Sequence, residues 1–234
     1  MKLPKTINPC PIIDALLEIR FSTKIHPNAV FGLIYNVLKD DFTKVENLPI
    51  LQLPDVVRAT DPNLKFKPHY KISNSNFVVQ IGTDVLSISS FPKYVGWDDF
   101  SKMIFSVIEK VEEIKIINNV NRLGIRYINF FQNNVFDVIN LRTCINEETI
   151  NYKNTVVRTE IEHEDFISTL QIANNALNKD QFGSVIDIDT YKVTGLERFF
   201  TEKEEIINSG HNKEKELFFS LLNEKFLNSL NPEY

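Results

Sequence analysis

The chain has 234 residues, 43% hydrophobic and 24% charged, which is long enough for one large domain or two packed halves and ordinary for a globular protein. Its formal charge of −5 argues against general nucleic-acid binding, which needs a basic surface to neutralise phosphates. Eighteen Phe against seven Gly imply a well-filled core and few glycine-built loops, so a phosphate-cradling loop is not expected.

The amino-terminal "MKLPKTINPCP" is broken by three prolines before any apolar stretch develops, so no signal peptide is expected there. "IIDALLEIRFS" (Ile12–Ser22) alternates, with Ala15, Leu17, Ile19 and Phe21 on one side and Leu16, Glu18, Arg20 and Ser22 on the other. That is the period of a half-buried strand. His26 and Pro27 then open a helix with Val30, Phe31, Ile34, Val37 and Leu38 along one stripe. The proline-rich stretch from Lys44 to Pro68 reads as a surface loop. Three short strands follow in "HYKIS", "NFVVQIG" and "DVLSISSF", joined by the turn material "NSN" and "GTD". "WDDFSKMIFSVIEKVEEI" places Trp97, Phe100, Ile104, Val107, Ile108 and Val111 at helical spacing.

From Arg122 the order begins again. "RLGIRYINFF" (Arg122–Phe131) reads as a strand, followed by an irregular stretch to about Tyr152, strands in "TVVRTEIEH", "DFISTLQIA" and "GSVIDIDTY", and a helical region from Phe199 interrupted at Ser209–Gly210. Laying "LLEIRF" over "RLGIRY" aligns Ile19 with Ile125 and Arg20 with Arg126. The expected fold is α+β, mainly antiparallel sheet with packed helices, in two pseudo-duplicated β(α)βββα halves, residues 1–117 and 118–234, forming one compact domain.

Several of these pieces together resemble a sporadically distributed bacterial family whose biochemical role is undefined. They are "PIIDALLEIRF", "YVGWDDF", "RLGIRYIN", "VIDID" and "GHNKEKELFFSLLNEKF", in the family's order over nearly the whole chain. The resemblance brings no catalytic residue with it. Such families sit among mobile and defence-related genes, including antiphage and toxin–antitoxin systems, so it implies a protein partner, encoded by a neighbouring gene.

The charged strand positions admit two readings. In the first, Arg20, Arg122, Arg126 and Arg158 pair across strands with carboxylates such as Asp187 and Asp189, fixing register and doing no chemistry. In the second, the same residues bind a phosphorylated or nucleotide ligand, and Glu160 and Glu162 hold Mg²⁺ or Mn²⁺, in the manner of a tunnel-type phosphohydrolase. "TEIEHE" departs from that pattern, with Glu164 where a lysine would stand. Outside the second reading no cofactor is expected. His26, His69, His163 and His211 are scattered and Cys10 and Cys144 match no ligand spacing, which speaks against zinc and for reduced thiols. His211, placed at the start of the last helix, would be neutral and hydrogen-bonded because a charged ring opposes the helix dipole. No G-x-S-x-G, G-x-G-x-x-G, Walker loop or helix-turn-helix pattern is present.

Tyr94 and Trp97 offer a ring pair either to a partner or to the helix entry as a staple, and Phe218 and Phe219 lie on the wide apolar stripe of the last helix. No apolar run approaches the ~20 residues needed to cross a bilayer. The expectation is a cytoplasmic, non-catalytic protein-binding component, a neutraliser, sensor or adaptor.

Overall fold

The computed structural model describes residues 3–150 and 153–234. Met1 and Lys2 of the amino-terminal segment, and residues 151–152 at the end of the expected irregular stretch, lie outside the described residues.

The first strand, β1 (Ile12–Ser22), has the expected alternation: Ala15, Leu17, Ile19 and Phe21 are at most 1% exposed while Glu18 and Arg20 are half-buried. Helix α1 (Pro27–Leu38) starts where His26 accepts a hydrogen bond from the Asn28 amide and Pro27 occupies the first turn. Val30, Ile34 and Leu38 form its buried stripe. The stretch expected as one loop holds strand β2 (Lys44–Asn47), a 3₁₀ turn over Pro49–Gln52 and helix α2 (Asp55–Thr60). Its prolines do not break structure there; Pro49 and Pro54 sit at helix starts, where a missing N–H costs nothing.

Strands β3 (Tyr70–Ser73), β4 (Phe77–Ile81) and β5 (Val85–Ser90) form the expected meander. Gly96, at φ +92°, caps helix α3 (Trp97–Glu113), with Asp98 and Asp99 in the first turn, where negative charge suits the dipole. Phe100, Ile104, Val107, Ile108 and Val111 are buried at the expected spacing. Strand β6 (Asn119–Phe131) follows. The irregular stretch after it contains a 3₁₀ turn at Val135–Asp137 and a small hairpin, β7 (Cys144–Ile145) with β8 (Glu148–Thr149). Then come β9 (Val156–His163), β10 (Phe166–Asn178) and β11 (Gln181–Lys192), the last two longer than their apolar patterns suggest. Helix α4 (Phe199–Leu221) runs unbroken through Ser209–Gly210, so the expected interruption is absent and His211 lies inside the helix. Helix α5 (Glu224–Ser229) is capped by Asn223, whose side chain accepts from the Phe226 amide.

The fold is α+β, with a large antiparallel sheet in the order β2-β3-β4-β5-β1-β6-β11-β10-β9. Two compact units make up the chain, and each is discontinuous in sequence. One comprises residues 14–125 and 191–207; the other comprises 1–13, 126–190 and 208–234. In the first, α1 and α3 supply the apolar stripes, and Phe31 stacks on Tyr70 with ring centroids 3.8 Å apart. The core of the second gathers Phe131, Val135, Phe136, Ile172, Ile186, Ile188, Phe218 and Phe219.

No helix among the described residues is long and apolar enough to cross a membrane.

Candidate binding surface

In the unit that contains β1, Glu18 is the hub. Its Oε1 accepts from Arg20 Nε at 2.7 Å and from Arg122 Nη1 at 3.0 Å. Each guanidinium also lies over an aromatic ring, Arg20 over Phe66 and Arg122 over Tyr191, both at 4.6 Å from the centroid. The side chains of Arg122 and Glu18 are only 13% and 21% exposed, against 33% for Arg20. Ser87 faces Glu18 across the β1–β5 register and Gln80 faces Ser87 on β4, so the strand face around the hub is polar. Arg20 is the side chain of this hub that a ligand reaches most easily.

In the other unit, Asp187 holds Arg126 in a two-point grip, Nε to Oδ1 at 2.7 Å and Nη2 to Oδ2 at 2.6 Å. The fork geometry matches guanidinium to carboxylate and leaves the arginine side chain 40% exposed. Asp189, two residues along β11, is half-buried and also engaged in an interaction. On the face of β6 that carries them, Arg122, Arg126, Ile128 and Phe130 are half-buried while Val120 and Gly124 are buried, so the strand is central in the sheet order yet only partly covered along this face.

Arg158, Glu160 and Glu162 are exposed on β9, opposite Gln171, Thr169 and Ile167 of β10. Among the described residues no group of three His, Cys, Asp or Glu side chains is placed to hold a metal ion. Glu160 and Glu162 are thus not joined, among the described residues, by a third side chain of those types.

The aromatic candidates divide. Tyr94 and Trp97 are half-buried and meet Phe100 edge-on, at 6.2 and 6.3 Å, which is the staple arrangement. Phe218 and Phe219 are 6% and 7% exposed, inside the core, and this corrects their assignment to a docking surface. The stripe they belong to is wide because it meets both the sheet and the chain around Val135–Ile139.

The large pKa shifts fall on groups other than these arginines. His211 is buried, its Nδ1 3.1 Å from the Tyr127 hydroxyl, and burial, with the nearby Lys215 charge, pushes its pKa down to about 3. One turn on, burial drives the Glu214 carboxyl well above its ordinary value, opposed by Lys215. The neutral histidine expected from sequence is present, but desolvation causes it and not a helix dipole. At the end of β9 the His163 Nε2 is buried without a hydrogen-bond partner. Elsewhere, burial and the charge of Arg58 lower the pKa of His69. Burial raises those of Asp84 and Cys10.

A cleft of about 440 Å³ that sequence reasoning missed lies among Gln132, Asn133, Asn134, Asn174 and Ser184, with Lys153 and the exposed Phe182 on its rim. Asn134 Oδ1 accepts from Asn174, and Asn174 Oδ1 from the Thr155 amide, so both amides are fixed by the protein itself. The run "QNN" after β6 was the available signal, but its convergence with Asn174 depends on tertiary packing.

Searches of protein-family profiles and of curated proteins found no match to this chain.

Proposed function

We propose that the protein works by binding a protein partner and not by catalysis, as the neutraliser, sensor or adaptor of a bacterial defence or toxin–antitoxin-like pair in the cytoplasm. The observation that supports this reading most is the Glu18 hub. Its arginines are held by a carboxylate and by aromatic rings, which suits a preorganised recognition surface. Arginine is also among the side chains enriched, with Trp and Tyr, where interface energy concentrates. The setting among defence genes rests on the family resemblance alone.

The test is affinity purification of the tagged protein after coexpression with its neighbouring genes, beside an Arg20→Ala variant. A stoichiometric protein partner that is lost on Arg20→Ala supports the reading. If there is no partner, and thermal stabilisation by a Mg²⁺–nucleotide disappears in Arg126→Ala, the alternative of a phosphorylated or nucleotide ligand at the arginine–carboxylate pairs takes its place.

A further inference from the structure

β9 (Val156–His163) ends the sheet order and, among the described residues, has a strand neighbour on one side only, β10. The Asn174 amide donates to the Thr155 carbonyl, in line with the register that sets Val156 opposite Ala173. Antiparallel pairs alternate, so Val157, Thr159 and Ile161 also turn their backbone groups toward β10. Val156, Arg158, Glu160 and Glu162 turn theirs away from it. Natural edges are blunted by shortness, proline, bulges, charged side chains or a covering helix or loop. β9 has eight residues, no proline and a continuous register with β10, and its charges stand on one face while Val157 and Ile161 pack against the core on the other. Val156 is 63% exposed.

We propose that a second copy of this chain adds to this edge, β9 against β9, antiparallel about a two-fold axis through Thr159. The charge sequence selects that register. Outward backbone groups must meet outward backbone groups, which restricts the axis to whole residues. An axis at Arg158 sets guanidinium against guanidinium, one at Glu160 pairs Arg158 with the partner's Glu162 but sets the two Glu160 carboxylates against each other at the centre, and one at Ile161 sets Glu160 against the partner's Glu162. At Val157 only Val156 and Arg158 overlap. With the axis at Thr159, Arg158 faces the partner's Glu160 and Glu160 faces the partner's Arg158. Both are cross-strand opposite-charge pairs. Val157 meets the partner's Ile161 on the other face, which extends the apolar layer already present there. The occupant is a second copy because the strand is complementary to itself.

The test uses the full chain with Cys10→Ser and Cys144→Ser, since both native thiols are exposed. In the proposed register the two Thr159 Cα atoms lie about 4.5 Å apart, inside the disulfide window of about 4.4–6.8 Å. Oxidised glutathione should therefore link Thr159→Cys into a covalent dimer, and leave Glu162→Cys, which is far from its own copy, largely unlinked. Sedimentation over a concentration series should show a dimer that Arg158→Glu weakens roughly tenfold and that the swap Arg158→Glu with Glu160→Arg restores. Circular dichroism confirms that these exposed variants fold. A monomer across the series overturns the proposal. So does a dimer indifferent to Arg158→Glu in which Thr159→Cys links no faster than Glu162→Cys, because the edge is then left to another chain or to nothing.

Discussion

The Tyr127 hydroxyl lies 3.1 Å from His211 Nδ1, and one turn further along α4 the Glu214 carboxyl is buried as well. These two titratable groups give opposite pH signatures. His211 has a folded pKa of about 3 against an ordinary 6.5, so the unfolded chain binds the extra proton between those values. Its contribution is complete above about pH 6.5 and is lost as pH falls toward 3, on the order of 5 kcal/mol at most. Glu214 is raised in the folded state, so its contribution is complete below its ordinary 4.5 and is lost as pH rises above it. Urea unfolding of Glu214→Gln from about pH 4 to about pH 8 should show a gain in stability at the alkaline end and a steeper fall on the acid side. A variant curve parallel to the wild type would contradict the assignment to Glu214.

Breaking the Arg126–Asp187 grip should destabilise the unit by roughly 1–3 kcal/mol, less than a fully buried pair because Arg126 is 40% exposed. Arg126→Ala should cost more than Asp187→Asn, since it strands a carboxylate that is 13% exposed, whereas the amide keeps an acceptor oxygen for the guanidinium. A double-mutant cycle read by denaturant midpoint measures the coupling. Additive single effects would show that the two side chains do not stabilise each other.

How far the fold was legible follows from where the information sits. β1 and α3 were readable because alternation and helical spacing are local, and Leu17, Ile19, Ile104 and Val107 occupy the buried positions their periods assign. β2 was not, because four exposed residues carry no period; it exists through its pairing with β3. Asp187 was anticipated among the partners of the strand arginines and grips Arg126 across a separation of 61 residues. Glu18 was not, although it lies beside Arg20 on the same strand face, because its contact with Arg122 spans 104 residues and depends on a register that no local pattern encodes. The continuity of α4 was hidden by Ser209 and Gly210, whose poor helix propensity is overridden by packing, with Gly210 itself buried.

Phe218 and Phe219 offer a test that separates packing from docking. Both are core residues whose rings meet edge-on at 5.2 Å. Phe218→Ala should cost about 3–5 kcal/mol of stability, and Phe219→Ala a comparable amount. Thermal unfolding reads this directly. If either variant kept its melting temperature while losing a bound protein, the ring would be an interface residue after all.

The last prediction concerns Gly183, near the start of β11. A Cβ added there would lie 2.3 Å from the Phe131 carbonyl oxygen and 2.6 Å from the Phe130 ring. Both are far inside van der Waals contact, and one of the atoms is backbone, which cannot rotate aside. Ser184, the next residue, accepts from the Val135 amide and donates to the Asn133 carbonyl. A displacement at Gly183 would thus reach the chain that lines the amide-rich cleft. Gly183→Ala should therefore destabilise by about 1–3 kcal/mol, despite alanine's lower unfolded-state entropy. Amide hydrogen exchange should quicken at Val135, whose N–H depends on the Ser184 hydroxyl, before it quickens at Ile172 or Ile188 in the core. Equal acceleration at all three would mean that the clash is relieved by global loosening and that β11 does not shift locally.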